Sequence, residues 1–365
     1  MKKIKYGIVG LIRGECGGEL MSFPAIEMRA ICDANPEVLA SKTRVFKRAM
    51  GGCAHQNPDN LQAFSDFDEF LASDVELVFI ATYAPVHTDH VIKALEAGKH
   101  VISEIPAIWT VEDAKRLRAA VEAHPNQKYV VAENCCFWPF ILDWKKMRED
   151  GKFGDIIYAE GEYIHSRDWR EMKPEDYPED HWRYSSPAIK YLTHQMGPLL
   201  SIMDDKCVSV SCMVPDVAYN PYRKTKKNGV AIFRTAKGAV IRILICFDAY
   251  VGFDHNFALI GTRGTIETDK TKPLSEAHSF ARFSDVPGTL EEKMEIPISV
   301  SLPGQKAVGG HGHAERVMFK EIYRYMMDEI PNPMDINAAI NMALPGIIAH
   351  ESSLRGGELM EIPEL

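Results

Sequence analysis

The sequence predicts an α/β protein: an N-terminal doubly wound parallel sheet of the Rossmann type, then a C-terminal α/β domain with a large, mostly antiparallel open sheet. Three observations predict it. The first third alternates short Val/Ile-rich runs with helical patterns, as strands buried on both faces of a parallel sheet do. After about residue 135 the strand-like stretches instead alternate apolar and polar residues and are joined by turn residues. A chain of 365 residues also exceeds what one core comfortably holds, so two domains are expected, 1–134 and 135–365.

In order, "IKYGIVG" and "MRAICD" read as the first two strands, and "LQAFSDFDEFLAS" as a helix before the strand "VELVFIAT". Thr88 to Ala97 continues as a helix, followed by the strand "HVISE". Thr110 suits the N-cap of "TVEDAKRLRAAVEAH", whose first turn carries acids. "KYVVAEN" is the next strand. "PFILDWKKMREDG" looks helical, with Pro139 near its start and Gly151 past its end. Strands are then expected in "DIIYAEGEYIH", "CVSVSCMV", "GVAIFRT", "AVIRILICFDAY" and "FALIGTRGTIET", with turns at Asn228-Gly229 and Lys237-Gly238. Two helices, about 312–329 and 335–354, close the chain. No repeat and no low-complexity linker interrupts it.

Composition excludes several roles. A formal charge of −9 argues against nucleic acid as a partner, and no apolar run has the length of a membrane span. The one basic cluster, Arg223 to Lys227, suits a solvated turn. Eight scattered cysteines without a CxxC pair, together with an N-terminus that enters a strand directly, lead us to expect a cytoplasmic protein with reduced thiols.

The turn after the first strand reads Gly10-Leu11-Ile12-Arg13-Gly14. It departs from GxGxxG, since Ile12 stands at the second glycine position. The second strand ends at Asp33, 23 residues after Gly10, where a carboxylate accepts ribose hydroxyls and repels a 2′-phosphate; this favours NAD as cofactor over NADP. Thr82 and His87 follow the third long strand, Glu104 and Pro106 the next, and Asn134 the one after. All fall at the carboxyl edge of the sheet, where such folds bind ligands. In the second domain, Tyr163 and His165 lie two apart on a strand and share a face. Lys190, Tyr191 and His194 fall at spacings of four and three on an expected helix. His-Gly-His at 311–313 lacks the partners of a zinc site, so no metal is expected.

From Lys5 to about Ile362 the chain resembles the Gfo/Idh/MocA oxidoreductases. The carriers are "ICDANPE", "VELVFIATYAPVHTDHVIKALEAGKHVISEIPA", "VEDAKRL" and "DGKFGDIIYAEG". The resemblance implies a Rossmann domain with NAD(P) and a C-terminal sheet that often mediates oligomers, so a homo-oligomer is expected. The family's usual Glu-Lys-Pro is Glu104-Ile105-Pro106 here, and its relay lysine cannot be carried over. "AEN", "YIH", "YLTHQMGP" and "GGHGHAE" look like the branch that includes glycoside hydrolase family 109, with His313 replacing that branch's last glycine. The likeness implies a retained NAD that oxidises a sugar 3-hydroxyl, permits elimination and is restored. It places the active-site groups on Glu133, Tyr163, His165, Tyr191 and His194.

The chemistry needs such groups. Taking hydride from a secondary alcohol requires a base for the hydroxyl proton, and the resulting ketone acidifies the neighbouring C–H for a second base. We expect Tyr191 with His194 to replace the absent lysine, with Lys190 as a third member. The long aromatic and charged stretch 167–187 offers Trp182 and Arg183 either as substrate contacts, the reading its length favours, or as a contact with a partner subunit, and His311 sits on a glycine-rich loop suited to closing on substrate. Three readings stay open at this stage: a redox-neutral enzyme acting on a glycoside, an ordinary dehydrogenase releasing NADH, and a sugar- or NAD-responsive regulator.

Overall fold

In the computed structural model, residues 3–165, 186–217, 228–247, 253–271, 279–296 and 314–365 are described. They fall into two compact units. One comprises Met1–Ala132 with Glu315–Ile340, the other Glu133–Ala314 with Asn341–Leu365. The expected second domain thus divides, with Glu315–Ile340 returning to the first unit.

The first unit is built on β1 (Ile4–Val9), β2 (Ile26–Cys32), β3 (Gln62–Phe64), β4 (Leu77–Ile80), β5 (His100–Glu104) and β6 (Tyr129–Ala132). They form one sheet in the order β3-β2-β1-β4-β5-β6, every pair parallel. This is the Rossmann order, and it reverses at β1. β4 and β6 are buried at every position, which is why these strands read as unbroken apolar runs. Between them run α1 (Leu11–Gly14), α2 (Pro36–Gly51), α3 (Phe67–Ala72), α4 (Ala84–Glu96) and α5 (Val111–Ala123). Asn35 caps α2 by accepting from the N–H groups of Glu37 and Val38, and Thr110 caps α5 from Asp113, as its sequence foretold. The stretch after Leu61 differs from expectation. Gln62–Phe64 adds an edge strand, and only Phe67–Ala72 is helical, started by the Asp66 cap.

The second unit opens with α6 (Pro139–Glu149), stopped by Gly151 at φ 75°. Its sheet gathers β7 (Ile156–His165), β8 (Cys207–Met213), β9 (Asn228–Thr235), β10 (Val240–Cys246), β11 (Phe253–Gly261), β12 (Gly264–Thr268), β13 (Ser279–Phe283), β14 (Met294–Ile296) and β15 (Met360–Glu361). The order is β14-β13-β12-β11-β7-β10-β9-β8-β15, antiparallel except for β7 with β10. β9 and β10 alternate buried and more exposed residues along their length. Asn228 and Gly229 are no turn: they pair with Cys246 and Ile245 inside the sheet. Lys237-Gly238 does turn, with Gly238 at φ 93°. On the buried face lies α7 (Thr193–Met203). The closing helices are α8 (Ala314–Met326) and α9 (Ile336–Leu354). The eight cysteines, all among the described residues, form no disulfide. No helix among the described residues is long and apolar enough to cross a membrane.

Candidate active site

In the first unit the sheet's register brings strand ends together. Val9 pairs with Cys32 and Ile80, Ile80 with Ser103, and Glu104 with Ala132, so the carboxyl ends are flush on either side of the order reversal. Gly10 leaves β1 at φ 81°, and a Cβ there would lie 2.5 Å from the Ala81 carbonyl oxygen; the turn admits only glycine. Asp33 closes this edge. Its Oδ2 accepts from the Leu11 N–H at 2.8 Å and its Oδ1 from the Asn35 N–H at 2.9 Å, which leaves further acceptor sites on a carboxylate already aimed by the backbone. Gly14 is buried, whereas Ile12 is 65% exposed, so its side chain does not fill the turn.

Arg13 and Glu104, both expected at the cofactor, meet each other. Arg13 Nε donates to Glu104 Oε1 at 2.5 Å and its Nη1 to Glu315 Oε1 at 2.9 Å. Pro106 follows a cis Ile105–Pro106 bond. His87 is buried, with Nε2 2.8 Å from Ser103 Oγ and Nδ1 3.4 Å from Thr82 Oγ1. Burial, followed by the neighbouring His90, pushes its imidazole down to about 3, so it is neutral at any ordinary pH. It contributes as a neutral support for Ser103 and Thr82.

The second unit holds most of the expected catalytic set. Glu133 follows β6 and caps a 3-10 turn over Asn134–Phe137 by accepting from the Cys135 N–H at 3.0 Å. Its side chain is fully buried, and Oε1 lies 2.7 Å from Nδ1 of His194. Burial raises the Glu133 carboxyl, but the imidazole and the Cys135 N–H outweigh it and hold it below the ordinary glutamate value. Cys135 Sγ approaches the same Nδ1 at 3.1 Å and donates to Asn134 Oδ1 at 3.6 Å. The ligand atoms of Glu133, Cys135 and His194 lie within 4.8 Å of one another, a grouping able to hold a metal. The 2.7 Å contact is nevertheless that of a hydrogen bond, and both partners approach one nitrogen. Gly197 permits the arrangement, because a Cβ there would stand 3.1 Å from both Glu133 Cγ and Cys136 Sγ.

Aromatic rings close around His194. Tyr191 meets it edge to face at 5.3 Å, Tyr163 at 5.5 Å, and His165 lies 5.7 Å from Tyr163. The helical spacing that put Lys190 and Tyr191 beside His194 does not hold. A 3-10 turn over Ala188–Tyr191 ends at Leu192, before α7 begins. Tyr191 reaches His194 regardless, whereas the charge of Lys190 acts on His350, whose imidazole is lowered first by burial and then by that lysine. Trp182, Arg183 and His311 lie outside the described residues, as does the basic cluster 223–227. Sequence reasoning missed His255, Gln195, Trp138 and Phe247. His255 pairs across the strands with Tyr163 and stacks on its ring at 4.1 Å. The signal was its place opposite Tyr163, hidden because the expected strand began only at Phe257.

Residues 4–132 match the model for an oxidoreductase family with an NAD-binding Rossmann fold, and residues 141–267 match that for the GFO/IDH/MocA C-terminal domain. The chain belongs to the Gfo/Idh/MocA oxidoreductase family. It is 31% identical over 383 residues to an alpha-N-acetylgalactosaminidase of Bacteroides fragilis, covering 94% of this chain and 87% of the relative. It is 26% identical over 377 residues to a glycosyl hydrolase family 109 protein of Porphyromonas gingivalis, covering 92% of this chain and 79% of that one. In fold it is similar to a levoglucosan dehydrogenase solved with NADH and levoglucosan, with TM-score 0.80, 20% identity and full coverage of both chains. The WlbA dehydrogenase of Bordetella pertussis, solved with NADH and UDP-GlcNAcA, aligns with TM-score 0.77 at 19% identity, likewise over both full chains.

This Gfo/Idh/MocA chain is thus an NAD-dependent enzyme, and its first unit fits the cofactor. Gly10 leaves no room for a side chain, and Asp33 offers fixed acceptors suited to a ribose diol. At the family's lysine position, Ile105 is a buried apolar side chain, so no amine is available from it.

Proposed function

We propose that this Gfo/Idh/MocA enzyme cleaves a glycoside by a redox-neutral cycle, with NAD retained from one turnover to the next. The supporting observation is the buried Glu133–His194 pair with Tyr191 and Tyr163 against its imidazole. It supplies proton chemistry where the family lysine is replaced by Ile105. The similarity to an alpha-N-acetylgalactosaminidase over most of both chains points to an N-acetylated hexoside as substrate.

When bound, NAD would supply a hydride acceptor for the carbon bearing a sugar hydroxyl and a hydride donor at the end of the cycle. The Rossmann edge holds it through Gly10, Arg13, Gly14 and Asp33, with Glu104 placing Arg13. The hydroxyl proton passes to the Tyr191–His194 pair. Once that carbon is a ketone, the adjacent C–H is acidic, and a base of the same cluster removes its proton while the aglycone leaves. Glu133 holds the proton of His194 on Nδ1, so Nε2 is the basic nitrogen. Water addition and the reverse steps restore the hydroxyl. Tyr163 and His165 stand beside this cluster, Tyr163 edge to face with His194 and His165 against Tyr163.

An aryl α-N-acetylgalactosaminide and deuterated water test the reading. Expected are release of the aryl alcohol without accumulation of NADH, and deuterium at C2 of the product sugar. His194→Ala should lower turnover roughly 10²–10⁴-fold while the nucleotide stays bound. Stoichiometric NADH from free sugars would favour the ordinary dehydrogenase instead, and undiminished turnover in His194→Ala would remove His194 from the mechanism. We also infer a homo-oligomer assembled through the open sheet, and the disulfide-free cysteines suit the cytoplasm.

A further inference from the structure

A second imidazole lies beside His194. The rings of His194 and His255 are 5.9 Å apart, both buried, and each is bonded through Nδ1 to a buried side chain of opposite character. His194 Nδ1 faces the Glu133 carboxylate at 2.7 Å; a carboxylate only accepts, so this nitrogen carries the proton. His255 Nδ1 faces Nε2 of Gln195 at 2.6 Å. The same Nε2 donates to the Glu162 carbonyl oxygen at 3.4 Å, which supports this orientation of the amide although it leaves the buried Oε1 without a hydrogen bond. An NH2 group there donates to both neighbours, whereas an oxygen there would confront the carbonyl. His255 Nδ1 is therefore an acceptor, and the proton of the neutral ring sits on Nε2.

We propose that the two histidines are held in opposite neutral tautomers, His194 by Glu133 and His255 by Gln195, so that one presents a lone pair at Nε2 and the other an N–H. His255 is then the hydrogen-bond donor to the substrate oxygen on which charge develops, and Gln195 is its positioning residue. The electrons balance without a proton leaving His255. With the hydroxyl proton of the oxidation step already passed on through Tyr191 to water, His194 Nε2 takes the proton from carbon, the C–H electron pair moves toward the carbonyl, and the oxygen gains negative charge that the Nε2–H of His255 stabilises. A neutral imidazole donor serves an enolate well because its proton stays in place through the step. The ring is kept in orientation by Tyr163, stacked at 4.1 Å and 23°, and by the edge-to-face contact of Trp138 at 4.9 Å.

The chemical role rests on the glycosidase reading, but the tautomers do not. Long-range 1H–15N spectra of protein labelled in histidine, assigned with His194→Gln and His255→Gln, report which nitrogen bears the proton on each ring. Opposed tautomers are expected in the wild type. Gln195→Glu puts a carboxylate at His255 Nδ1 and should move that ring's proton to Nδ1, leaving His194 unchanged. Turnover of the aryl glycoside should fall about 10²-fold with little change in KM, since one donor to a developing oxyanion is worth that order. His255→Gln, which keeps an N–H donor, should recover part of the activity that His255→Leu loses. Like tautomers in the wild type, or undiminished turnover in Gln195→Glu, would overturn the proposal. Opposed tautomers in a protein that cleaves no glycoside would uphold the pair and overturn the glycosidase reading alone.

Discussion

At the scale of single residues, burial decides what each histidine can do. His87 and His194 are both buried, but their partners differ in kind. His194 donates its Nδ1–H to a carboxylate; His87 lies against the hydroxyls of Ser103 and Thr82, and a positive His87 ring would find no opposite charge in them. His87 consequently stays neutral down to about pH 3, whereas its unfolded counterpart binds a proton near 6.5. Between those values the unfolded chain holds the extra proton, so stability falls as pH drops through the window. The slope from this one group is about 1.4 kcal/mol per pH unit at most, or roughly 2 kcal/mol between pH 6.5 and 5. In His87→Gln, whose amide can still bond Ser103, the loss of urea stability from pH 7.5 to pH 5 should be smaller by about that amount. An identical pH dependence in the variant would mean that His87 takes up a proton while folded.

At the scale of elements, the site depends on how closely α7 approaches the turn that carries Glu133. Gly197 sets that distance, and its replacement brings two effects into competition. Alanine gains about 1 kcal/mol of helix propensity, whereas a Cβ 3.1 Å from Glu133 Cγ and Cys136 Sγ forces a shift of a few tenths of an ångström. The terms nearly cancel in stability but not in geometry. Gly197→Ala should leave the urea midpoint almost unchanged and lower kcat about three- to tenfold, since displaced catalytic groups are costly; parallel losses in both would show a merely structural role. The same elements show how far the sequence could be read. The strand ends at Gly10, Asp33 and Glu104 were legible because a parallel sheet writes itself as apolar runs with polar ends. Glu133, Tyr163, Tyr191 and His194 were placed by motif, and they do meet. Helical spacing misled only at Lys190, because Leu192 breaks the helix between Tyr191 and Thr193. Gln62–Phe64 misled because a three-residue edge strand carries too little period to be told from a helix. His255 and Gln195 left no local signal, since their roles come from cross-strand register and from packing across sixty residues of chain.

At the scale of the whole molecule, the nine-stranded sheet packs one face against α7, and among the described residues its other face is the more exposed. One rung of that exposed face runs Ile232, Arg242, Glu160, Ala258, Glu267 and Phe280 across six strands. Its charges are already matched. Arg242 bridges Glu160 and Glu162 at 3.1 and 2.7 Å, and Lys270 Nζ reaches Glu162 at 2.8 Å. Covering such a network leaves no charge unpaired, which lowers but does not abolish the desolvation cost of burying it. Around it, Val230, Ile232 and Ile260 stand 38, 53 and 40% exposed on the same sheet, apolar area that a second copy would take from water. Ile232→Asp puts an unmatched charge into that row, and burying it should cost several kcal/mol, weakening association by more than about a hundredfold. Analytical ultracentrifugation should show the inferred oligomer for the wild type and a monomer for Ile232→Asp at the same concentration, with the melting temperature of the monomer fold retained. An oligomer that survives the aspartate would place the contact on another surface.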